Sequence, residues 1–595
     1  MTPEQRKEVW LKAQTALQQS QWSTAEPLLR ELVADDASDY AAQVNLGACL
    51  IQLNRLAEAE LQTLVAISAG HMTSLLMQRH AQLMHAVDRP TEERLTQAEQ
   101  WLRHFPDEPQ AQIAAAFAER ALGRFGAARQ RLLKVLERDP RHLLAAWAQF
   151  QYPQDLVAAD VQAMDTYRRQ FDEGLEAFAQ LQFSNDDTLP RRALDALGST
   201  VPFHLAYLPE SDAARAQRYG KQLRRLALAA GLRDRAGFTR VKRAAPRVVV
   251  FSAHLHQHSV SRVWRDLLID ASKGCELIAL HAGNIEDESI RRWREAGVEV
   301  VQGLQNIVQW SRVLHRLDPD ILIYTDLGME PLSTALASIR HARRQYATWA
   351  HPMGSGLETI DGFLSSDLAE PADAQSHYRE KLIRLPGLAS SYRFPIANPE
   401  PAAIPADTAT RHIACLQIGY KLTPDQDSTW SALLDLDPNL HLHLTPNLLP
   451  EGVEQIRRRI GASVGPDRAA RIEWHDVMPF NEYVAHIRRM LVIVDTEHFS
   501  GGLTHADALS LGVPVVTIEG NSLRSRQTAA MLRLLDLPEL ICGDRAALVT
   551  TVQRLLVDTA WHESIRARLH ANRSRLIGHA DAARALNILL LGGKA

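Results

Sequence analysis

Hydrophobic and polar positions follow two different patterns along the chain, and the change comes near residue 247. Up to about residue 150, apolar residues recur every three or four positions among Ala, Gln, Glu and Arg. That spacing predicts amphipathic helices. From residue 247 onwards, short apolar runs alternate with amphipathic stretches. The alternation predicts strands of a parallel sheet joined by helices, so we expect a helical region followed by α/β domains.

The predicted strands form two series separated by a proline-rich stretch at residues 395–405. The first series is residues 248–251, 277–280, 298–301, 321–324 and 346–349. The second series is residues 413–416, 440–444, 471–474, 491–494 and 513–516. Two doubly wound domains facing each other across a cleft resemble the GT-B architecture of many nucleotide-sugar glycosyltransferases. Ligands of such sheets bind where the carboxyl ends of the strands converge.

The helical region repeats itself. Trp22, Leu56 and Phe125 are each followed three positions later by alanine, at intervals of about 34 residues or twice that. A related motif at Leu95 is displaced by several residues, so the spacing predicts three repeats and indicates a fourth. The region resembles tetratricopeptide repeats, and a generic helical bundle is the alternative. A short helical solenoid suggests binding of a polypeptide, or a scaffold role.

We predict four regions from these patterns. They are tetratricopeptide-like repeats at residues 1–150, a helical connector at 151–243, a first Rossmann-like domain on the acceptor side at 244–400, and a second Rossmann-like domain with terminal helices at 401–595, which binds a UDP-sugar. The fold class is therefore a helical repeat region followed by an α/β GT-B fold.

Composition excludes several classes of function. A net charge of -4 with interspersed signs gives no electrostatic reason to expect nucleic acid or an anionic membrane. The four cysteines lie far apart without a CxxC motif, which indicates buried thiols rather than a disulfide framework or a metal site. Neither a signal-peptide core nor an apolar stretch of membrane-spanning length occurs, so we expect a soluble, cytoplasmic protein.

A glycine pair after one predicted strand is the strongest candidate for ligand binding. The strand at residues 490–494 leads to Gly501 and Gly502, and a helix then opens near Thr504. Glycine allows unusual backbone conformations and close approach of a ligand, and the free amides of the first helical turn favour an anion. A diphosphate would fit here, with Asp507 one turn further on accepting from ribose hydroxyls. The alternative is an ordinary strand–helix connection without a ligand.

Other strand ends carry further candidates. Gln417 and Lys421 follow the first strand of the second series, and a lysine there can neutralise a departing diphosphate, a task that a metal performs elsewhere. His351 and Ser355 lie in a proline–glycine turn whose groups could face a ligand. Tyr483 could stack on a base or fill the core. No DxD motif lies at a strand end, so we expect no metal site and no cofactor other than the donor sugar nucleotide.

Histidines alternate after the first strand at residues 254, 256 and 258. Side chains two apart on an extended segment do not easily converge on one ion, which argues against a metal site. His258 is instead a candidate base or hydrogen-bonding group, because imidazole titrates near neutral pH. A loop histidine bonded to the backbone is the alternative.

Short motifs in the second α/β region point to a known family. They are Gly419-Tyr420-Lys421 with Pro424, Met478-Pro479 with Glu482-Tyr483, Asp495-Thr496, Gly501 with Thr504 and Asp507, residues 512–517, and Ser522-Leu523 with Ser525-Arg526. Together they resemble the catalytic half of protein O-GlcNAc transferase and its SPINDLY-like bacterial relatives. Two further motifs, residues 258–262 and Gly328-Met329 with Pro331-Leu332, are more similar to bacterial cytoplasmic N-glucosyltransferases of adhesins.

The resemblance implies an inverting, metal-independent transfer from a UDP-sugar to protein side chains. It places Lys421 and the segment of Gly501, Gly502 and Thr504 on the diphosphate. It also implies that Tyr483 contacts the uracil, that Asp507 contacts the ribose, and that His258 lies near donor and acceptor.

Two departures from the family pattern affect the choice of sugar. Gly502-Leu503 stands where the family usually has His-Thr, and Ile418 stands where a glutamine is expected. The prediction is therefore transfer of a hexose or GlcNAc, from UDP-glucose or UDP-GlcNAc, to Ser or Thr hydroxyls of a protein bound by the repeats. The alternatives are N-glucosylation of Asn in adhesin- or flagellin-like proteins, a glycosyltransferase with a lipid-linked or small-molecule acceptor, and an inactive repeat-based adaptor.

Overall fold

The computed structural model describes residues 1–595 except 71, 210–212, 236, 238–242, 305, 397–409 and 594–595. Most of the predicted proline-rich linker lies outside the described residues. The chain divides into two compact units, Met1–Ala145 and Ala146–Ala595. None of the helices within the described ranges combines the length and apolar character that crossing a bilayer requires.

The first unit is a series of antiparallel helix pairs. Its helices are α1 (Pro3–Gln18), α2 (Trp22–Asp35), α3 (Tyr40–Gln52), α4 (Leu56–Ser68), α5 (Ser74–Ala86), α6 (Thr91–His104), α7 (Pro109–Ala121) and α8 (Phe125–Arg138). The first helix of every pair has a side-chain N-cap, supplied by Thr2, Asp39, Thr73 and Glu108. These caps satisfy amides that a helix start leaves unpaired, which fixes where each repeat begins.

The displaced fourth repeat is present. The second helices of the pairs begin at intervals of about 34 residues, α6 included. In α2, α4 and α8 a fully buried alanine lies three positions after the first residue, whereas in α6 the buried Ala98 lies one turn later. The repeat is therefore in step with the others, and only the small residue at the helix contact has moved.

The second unit begins with helices and continues into two parallel sheets. Helix α9 (Leu143–Ala148) spans the division between the two units, and the leading helices of the second unit are α10 (Val161–Gln180), α11 (Leu189–Leu197) and α12 (Ala213–Ala229). The first sheet and its helices are β1 (Arg247–Ser252), α13 (Ser259–Ala271), β2 (Glu276–His281), α14 (Glu288–Glu295), β3 (Glu299–Gln302), α15 (Ile307–Leu317), β4 (Ile321–Tyr324), α16 (Pro331–Ala337), β5 (Arg344–Thr348), β6 (Gly362–Ser366) and β7 (Lys381–Leu385).

The second sheet is built in the same way. Its elements are β8 (Arg411–Cys415), α17 (Asp427–Leu434), β9 (Leu440–Leu444), α18 (Pro450–Val464), α19 (Pro466–Ala469), β10 (Ile472–Trp474), α20 (Phe480–Arg489), β11 (Val492–Val494), α21 (Leu503–Ser510), β12 (Val515–Ile518), α22 (Gln527–Leu534), β13 (Ile541–Cys542), α23 (Arg545–Val557), α24 (Thr559–Asn572) and α25 (Ala580–Leu590). Short 3₁₀ turns occur at Phe203–Tyr207, Ala374–His377, Gly419–Lys421, Pro424–Gln426, Leu523–Ser525, Pro538–Leu540 and Arg573–Ile577.

Both sheets are doubly wound. The strand orders are β3-β2-β1-β4-β5-β6-β7 and β10-β9-β8-β11-β12-β13, and the strand pairs in the described residues are parallel. The order reverses between β1 and β4 in the first sheet and between β8 and β11 in the second. Ligand sites are expected outside the carboxyl ends of strands at such switch points.

Each sheet has its own apolar core, and the last helix belongs to the first of them. Ala582, Leu586 and Leu590 of α25 are buried in the cluster that covers β1 and α13, and Asn587 donates to the carbonyl oxygen of Ala271 at 2.7 Å. The sequence pattern placed the terminal helices with the second domain. In the structure, α25 instead packs on the first sheet, because its apolar face contacts α13.

Candidate functional site

A cavity of about 470 Å³ lies between the two sheets of the second unit. Its walls come from segments that follow β1, β4, β5, β6 and β7 of the first sheet and β8, β9, β10, β11 and β12 of the second. These are the carboxyl ends of the strands at and beside both switch points, where doubly wound folds bind ligands. The 3₁₀ turn Phe203–Tyr207 contributes two aromatic rings, Phe203 and Tyr207, to the wall.

Lys421 lines this cavity from the 3₁₀ turn after β8. Its ammonium donates to Oε1 of Gln417 at 2.9 Å and to the carbonyl oxygen of Ser500 at 3.0 Å, and it lies 4.3 Å from the ring centre of Phe499. Burial lowers the pKa of Lys421 to about 8, against an opposing pull from the Asp495 carboxylate. A buried cation with one hydrogen-bond direction uncommitted among the described residues suits an anionic ligand.

Gln417 holds this lysine in place. Its side-chain amide donates to Oγ1 of Thr504 at 2.9 Å and to Nε2 of His505 at 2.9 Å, while its oxygen accepts from Lys421. Gln417 lines the cavity as predicted. Since both ends of its amide are engaged, we assign it to positioning Lys421 and Thr504.

The structure explains the presence of glycine at positions 501 and 502 differently from the sequence. Neither Gly501 nor Gly502 has a positive φ. A Cβ on Gly501 would lie 2.3 Å from the buried ring of His505, and a Cβ on Gly502 would lie 2.9 Å from Oε1 of Gln527. Close packing beneath the loop therefore requires glycine at position 501, where a buried ring blocks a Cβ, whereas the flexible Gln527 side chain could move away from a Cβ at position 502.

Only part of the predicted loop lines the cavity. Gly501 is outside the lining and its amide donates to Oδ1 of Asp495 at 2.8 Å, so its phosphate contact stays a prediction without support from this geometry. Gly502, Leu503 and Thr504 line the cavity, and no acceptor for the amides of Leu503 and Thr504 occurs within the described part of the chain. These two amides begin α21 and form an anion-binding helix start beside Lys421.

Asp507 is not among the residues that line the cavity, and its ribose contact stays a prediction. Its carboxylate is 3% exposed and accepts from Nη2 of Arg262 at 3.1 Å, the hydroxyl of Tyr392 at 2.8 Å and the hydroxyl of Tyr483 at 3.4 Å. Burial raises the pKa of Asp507, although Arg262 opposes this. The residue thus joins α13 of the first domain to α20 and α21 of the second, and it orients Tyr483, whose ring does line the cavity.

The predicted residues of the first domain fall into two groups. His351 lines the cavity, stacks on Phe203 with ring centres 5.9 Å apart, and has its pKa lowered to about 4 by burial. Ser355 is outside the cavity lining, because its amide and hydroxyl both donate to Oε1 of Glu380. The ligand role of Ser355 therefore stays a prediction that these contacts do not support.

His258 caps α13 and lies beside the cavity rather than in its lining. Its Nδ1 accepts from the amide of Val260 at 3.2 Å, and burial lowers its pKa to about 4, with smaller effects of His254 and His256. A neutral imidazole that accepts through Nδ1 carries its proton on Nε2. His258 is therefore arranged to donate a hydrogen bond, which favours the hydrogen-bonding role over the base.

The three alternating histidines do approach one another, contrary to the expectation from an extended segment. The rings of His254 and His258 stack with centres 4.1 Å apart, and each lies 5.8 Å from that of His256. The chain bends between β1 and α13, so residues two apart no longer project in sequence along one face.

Several cavity residues carried no recognisable signal in the sequence. Among them are aromatic residues from four separate segments: Tyr207, Trp349, Tyr392 and Phe499. Asp476 is the one carboxylate on the cavity wall among the described residues. Such residues become neighbours only when both domains have folded, and single aromatic residues in loops have no diagnostic spacing.

Comparison with known proteins agrees with this geometry. Residues 405–578 match the family model described as glycosyl transferase family 41, and residues 16–68 match a tetratricopeptide repeat model. A UDP-N-acetylglucosamine--peptide N-acetylglucosaminyltransferase of Giardia intestinalis is 39% identical over 114 residues, which are 19% of this chain and 8% of that protein. A probable transferase of the same name, SPINDLY of Solanum lycopersicum, is 24% identical over 243 residues, 38% of this chain and 25% of that protein.

One solved structure is similar over most of the chain. It is described as a mutant of the Thermobaculum terrenum O-GlcNAc transferase, and it aligns with a TM-score of 0.64 at 18% identity, covering 87% of this chain and 96% of that one. This likeness confirms the predicted fold class, a tetratricopeptide region followed by two Rossmann-like domains. The predicted resemblance to the protein O-GlcNAc transferase and SPINDLY family is also confirmed. The chain spans a quarter or less of the length of these two curated relatives.

Proposed function

We propose that this protein, whose residues 405–578 match glycosyl transferase family 41, transfers a sugar from a UDP-sugar to the side chains of proteins. The observation that carries the proposal is the juxtaposition of the Lys421 ammonium with the open amides of Leu503 and Thr504 in one cavity. A diphosphate is the ligand that matches a buried cation next to a helix start. The names of the curated relatives, which describe transfer to peptide, support a protein acceptor.

Leaving-group stabilisation is the main catalytic task in this proposal. Negative charge develops on the diphosphate as the sugar departs, and preorganised donors stabilise that charge more than they stabilise the bound donor. Lys421 and the start of α21 supply these donors, while Tyr483 offers a ring for the base. Because a side-chain cation fills this role, we propose a metal-independent reaction.

The acceptor would attack from the first-domain side with inversion at the sugar carbon. His258 then positions the acceptor by donating a hydrogen bond from Nε2, while its Nδ1 continues to accept a hydrogen bond from the amide of Val260 at the start of α13. We propose Ser or Thr hydroxyls as acceptors and the helical repeats as the surface that binds the acceptor polypeptide. The first unit, with its four helix pairs, is of a type that binds extended peptides.

The test is donor binding and product formation. Titration calorimetry should show that UDP binds the purified protein, and intact-mass spectrometry of co-expressed candidate proteins should show addition of one sugar mass when UDP-GlcNAc or UDP-glucose is supplied. Mild alkaline β-elimination should release the sugar, because O-linked but not N-linked sugars are lost in this way. Absence of UDP binding would support the adaptor alternative and contradict the proposal, whereas an alkali-stable product would identify Asn as the acceptor.

UDP affinity should depend on pH through Lys421. The free protein holds this lysine with a pKa of about 8, and the diphosphate binds its protonated form, so complex formation raises that pKa. The Kd for UDP should therefore be constant just below pH 8 and rise about tenfold per pH unit above it. Calorimetry across this range measures the slope. The variant Lys421→Met is the control, and its weaker binding should lack the rise; a parent protein with the same flat profile would refute the assignment.

A further inference from the structure

A group of five histidines lies in the second sheet, away from the proposed diphosphate site. We name it the histidine cluster, and it consists of His412 on β8, His441 and His443 on β9, His475 after β10 and His486 on α20. In the parallel register His412 pairs with His441, and Ala414 pairs with His443. Because side chains alternate between the faces of a sheet, this register puts the strand histidines on one face, and α20 covers them with His486.

Three members of the cluster converge. One nitrogen atom from each of His443, His475 and His486 lies within 4.8 Å of the other two. Nδ1 of His443 is 2.8 Å from Nε2 of His475, and the ring centre of His486 is 5.1 Å and 4.5 Å from the ring centres of these residues. An ion with Zn–N bonds of about 2.0–2.1 Å in tetrahedral geometry holds its nitrogen ligands roughly 3.3 Å apart. Small rotations of these rings would produce that arrangement.

One ring nitrogen in this group lacks a partner. His486 is 6% exposed, and its buried Nε2 has no hydrogen-bond acceptor or donor within the described residues. A buried polar atom without a partner is uncommon in folded proteins, and a bound ion is one of the accepted reasons.

The residues around the three histidines have features that a metal site requires. Nε2 of His443 is 2.8 Å from Nδ1 of His412, an outer contact of the kind that fixes the ring of a metal ligand. The carboxylate of Glu473 lies 3.4 Å from Nδ1 of His443 and adds negative charge, which offsets the nearby guanidinium of Arg489. Side-chain exposures of 24% for His475 and 39% for Glu473 leave a path from solvent.

We propose that His443, His475 and His486 bind one zinc ion that fixes the segment between β10 and α20. Imidazole nitrogens suit zinc and the other late divalent metals of the first transition row. Asp476, Val477 and Met478 follow His475 directly and line the large cavity. The ion therefore stabilises the cavity wall from behind and takes no part in neutralising the diphosphate.

Metal-stripped, full-length, untagged protein should bind one equivalent of Zn²⁺ in calorimetry, and Co²⁺ in the same site should give the visible absorption of a tetrahedral complex. His486→Gln and the partly exposed His475→Gln each remove one ligand and should weaken Zn²⁺ binding by about 100-fold or more. His441→Gln is the matched control. It lies on the same strand as His443 but bonds to Glu473, and it should bind Zn²⁺ within about threefold of the parent. Absence of saturable binding in the parent, or equal affinity in all three variants, overturns the proposal.

Hydrogen exchange tests the consequence for the cavity wall. Zn²⁺ should slow amide exchange in peptides that cover residues 475–489 of the parent and leave those covering the first sheet unchanged. The same comparison in His486→Gln should show no protection. If Zn²⁺ binds but exchange in this segment does not change, the ion is not held between β10 and α20. The rings would then form a hydrogen-bonded imidazole chain, and the inference fails.

Discussion

Replacing Lys421 with alanine is expected to lower kcat/KM for sugar transfer by about 100- to 1000-fold, which corresponds to about 3–4 kcal/mol of lost transition-state stabilisation. The ammonium lies in a partly buried site beside the α21 amides, and alanine supplies no charge in its place. The effect should fall more on kcat than on KM, because charge on the diphosphate is greatest as the bond to the sugar breaks. Steady-state kinetics with the UDP-sugar and an acceptor peptide measure both constants.

Lys381→Ala is the matched control for this experiment. Lys381 is exposed at the start of β7 in the first sheet, so its loss removes the same charge from the protein without touching the cavity. Its kinetics should equal those of the parent. The melting temperature of Lys421→Ala should also be compared with the parent, since Gln417 and the carbonyl of Ser500 lose a donor. A folded Lys421→Ala variant that turns over at the parental rate would remove the mechanism.

The central strands of the first sheet were the clearest in the sequence, because they are buried on both faces. β1 and β4, for example, are continuous apolar runs with fully buried residues, and such runs mark parallel strands clearly. β6, β7 and β13 were missed. β6 contains Gly362 and two serines, and β7 contains two charged residues among its five. β13 is only two residues long. β7 and β13 lie at the edges of their sheets, where fewer apolar residues are required and the pattern weakens. β6 is fully buried, and it was missed because glycine and serine interrupt its apolar run.

The sequence predicted those residues of the candidate site whose position depends on the local connection between a strand and the following helix. Lys421, Gln417 and Thr504 lie in the cavity because a residue that directly follows a parallel strand must lie at the carboxyl edge of the sheet. Asp507 and Gly501 lie outside the cavity lining, and their ligand contacts stay predictions. Arg262 reaches Asp507 from a helix 245 positions away in sequence. No local pattern reveals that a polar side chain is already occupied in this way.

Asp495 is the opposite case: the sequence analysis gave its side chain no role, and the role of its carboxylate is visible only in the structure. It follows β11, and its carboxylate accepts from the amides of Thr496 and Gly501 at 2.8 Å each and from the hydroxyls of Ser500 and Thr517 at 2.7 Å each. Its side chain is fully buried. The carboxylate therefore organises the loop that presents Gly502 and Thr504 to the cavity.

Asp495→Ala should destabilise the protein by about 3–5 kcal/mol, because four donors would lose their acceptor in a buried site. UDP binding should be lost with it, even in conditions where the variant remains folded, since the amide of Gly501 and the hydroxyl of Ser500 no longer hold the loop. Urea unfolding followed by circular dichroism gives the change in stability, and calorimetry at low urea gives the binding. Asp467→Ala, an exposed carboxylate at the start of α19, should change stability by less than about 0.5 kcal/mol. If Asp495→Ala unfolds with the parental midpoint and binds UDP normally, the loop does not depend on this carboxylate, and the diphosphate site must be held by other contacts.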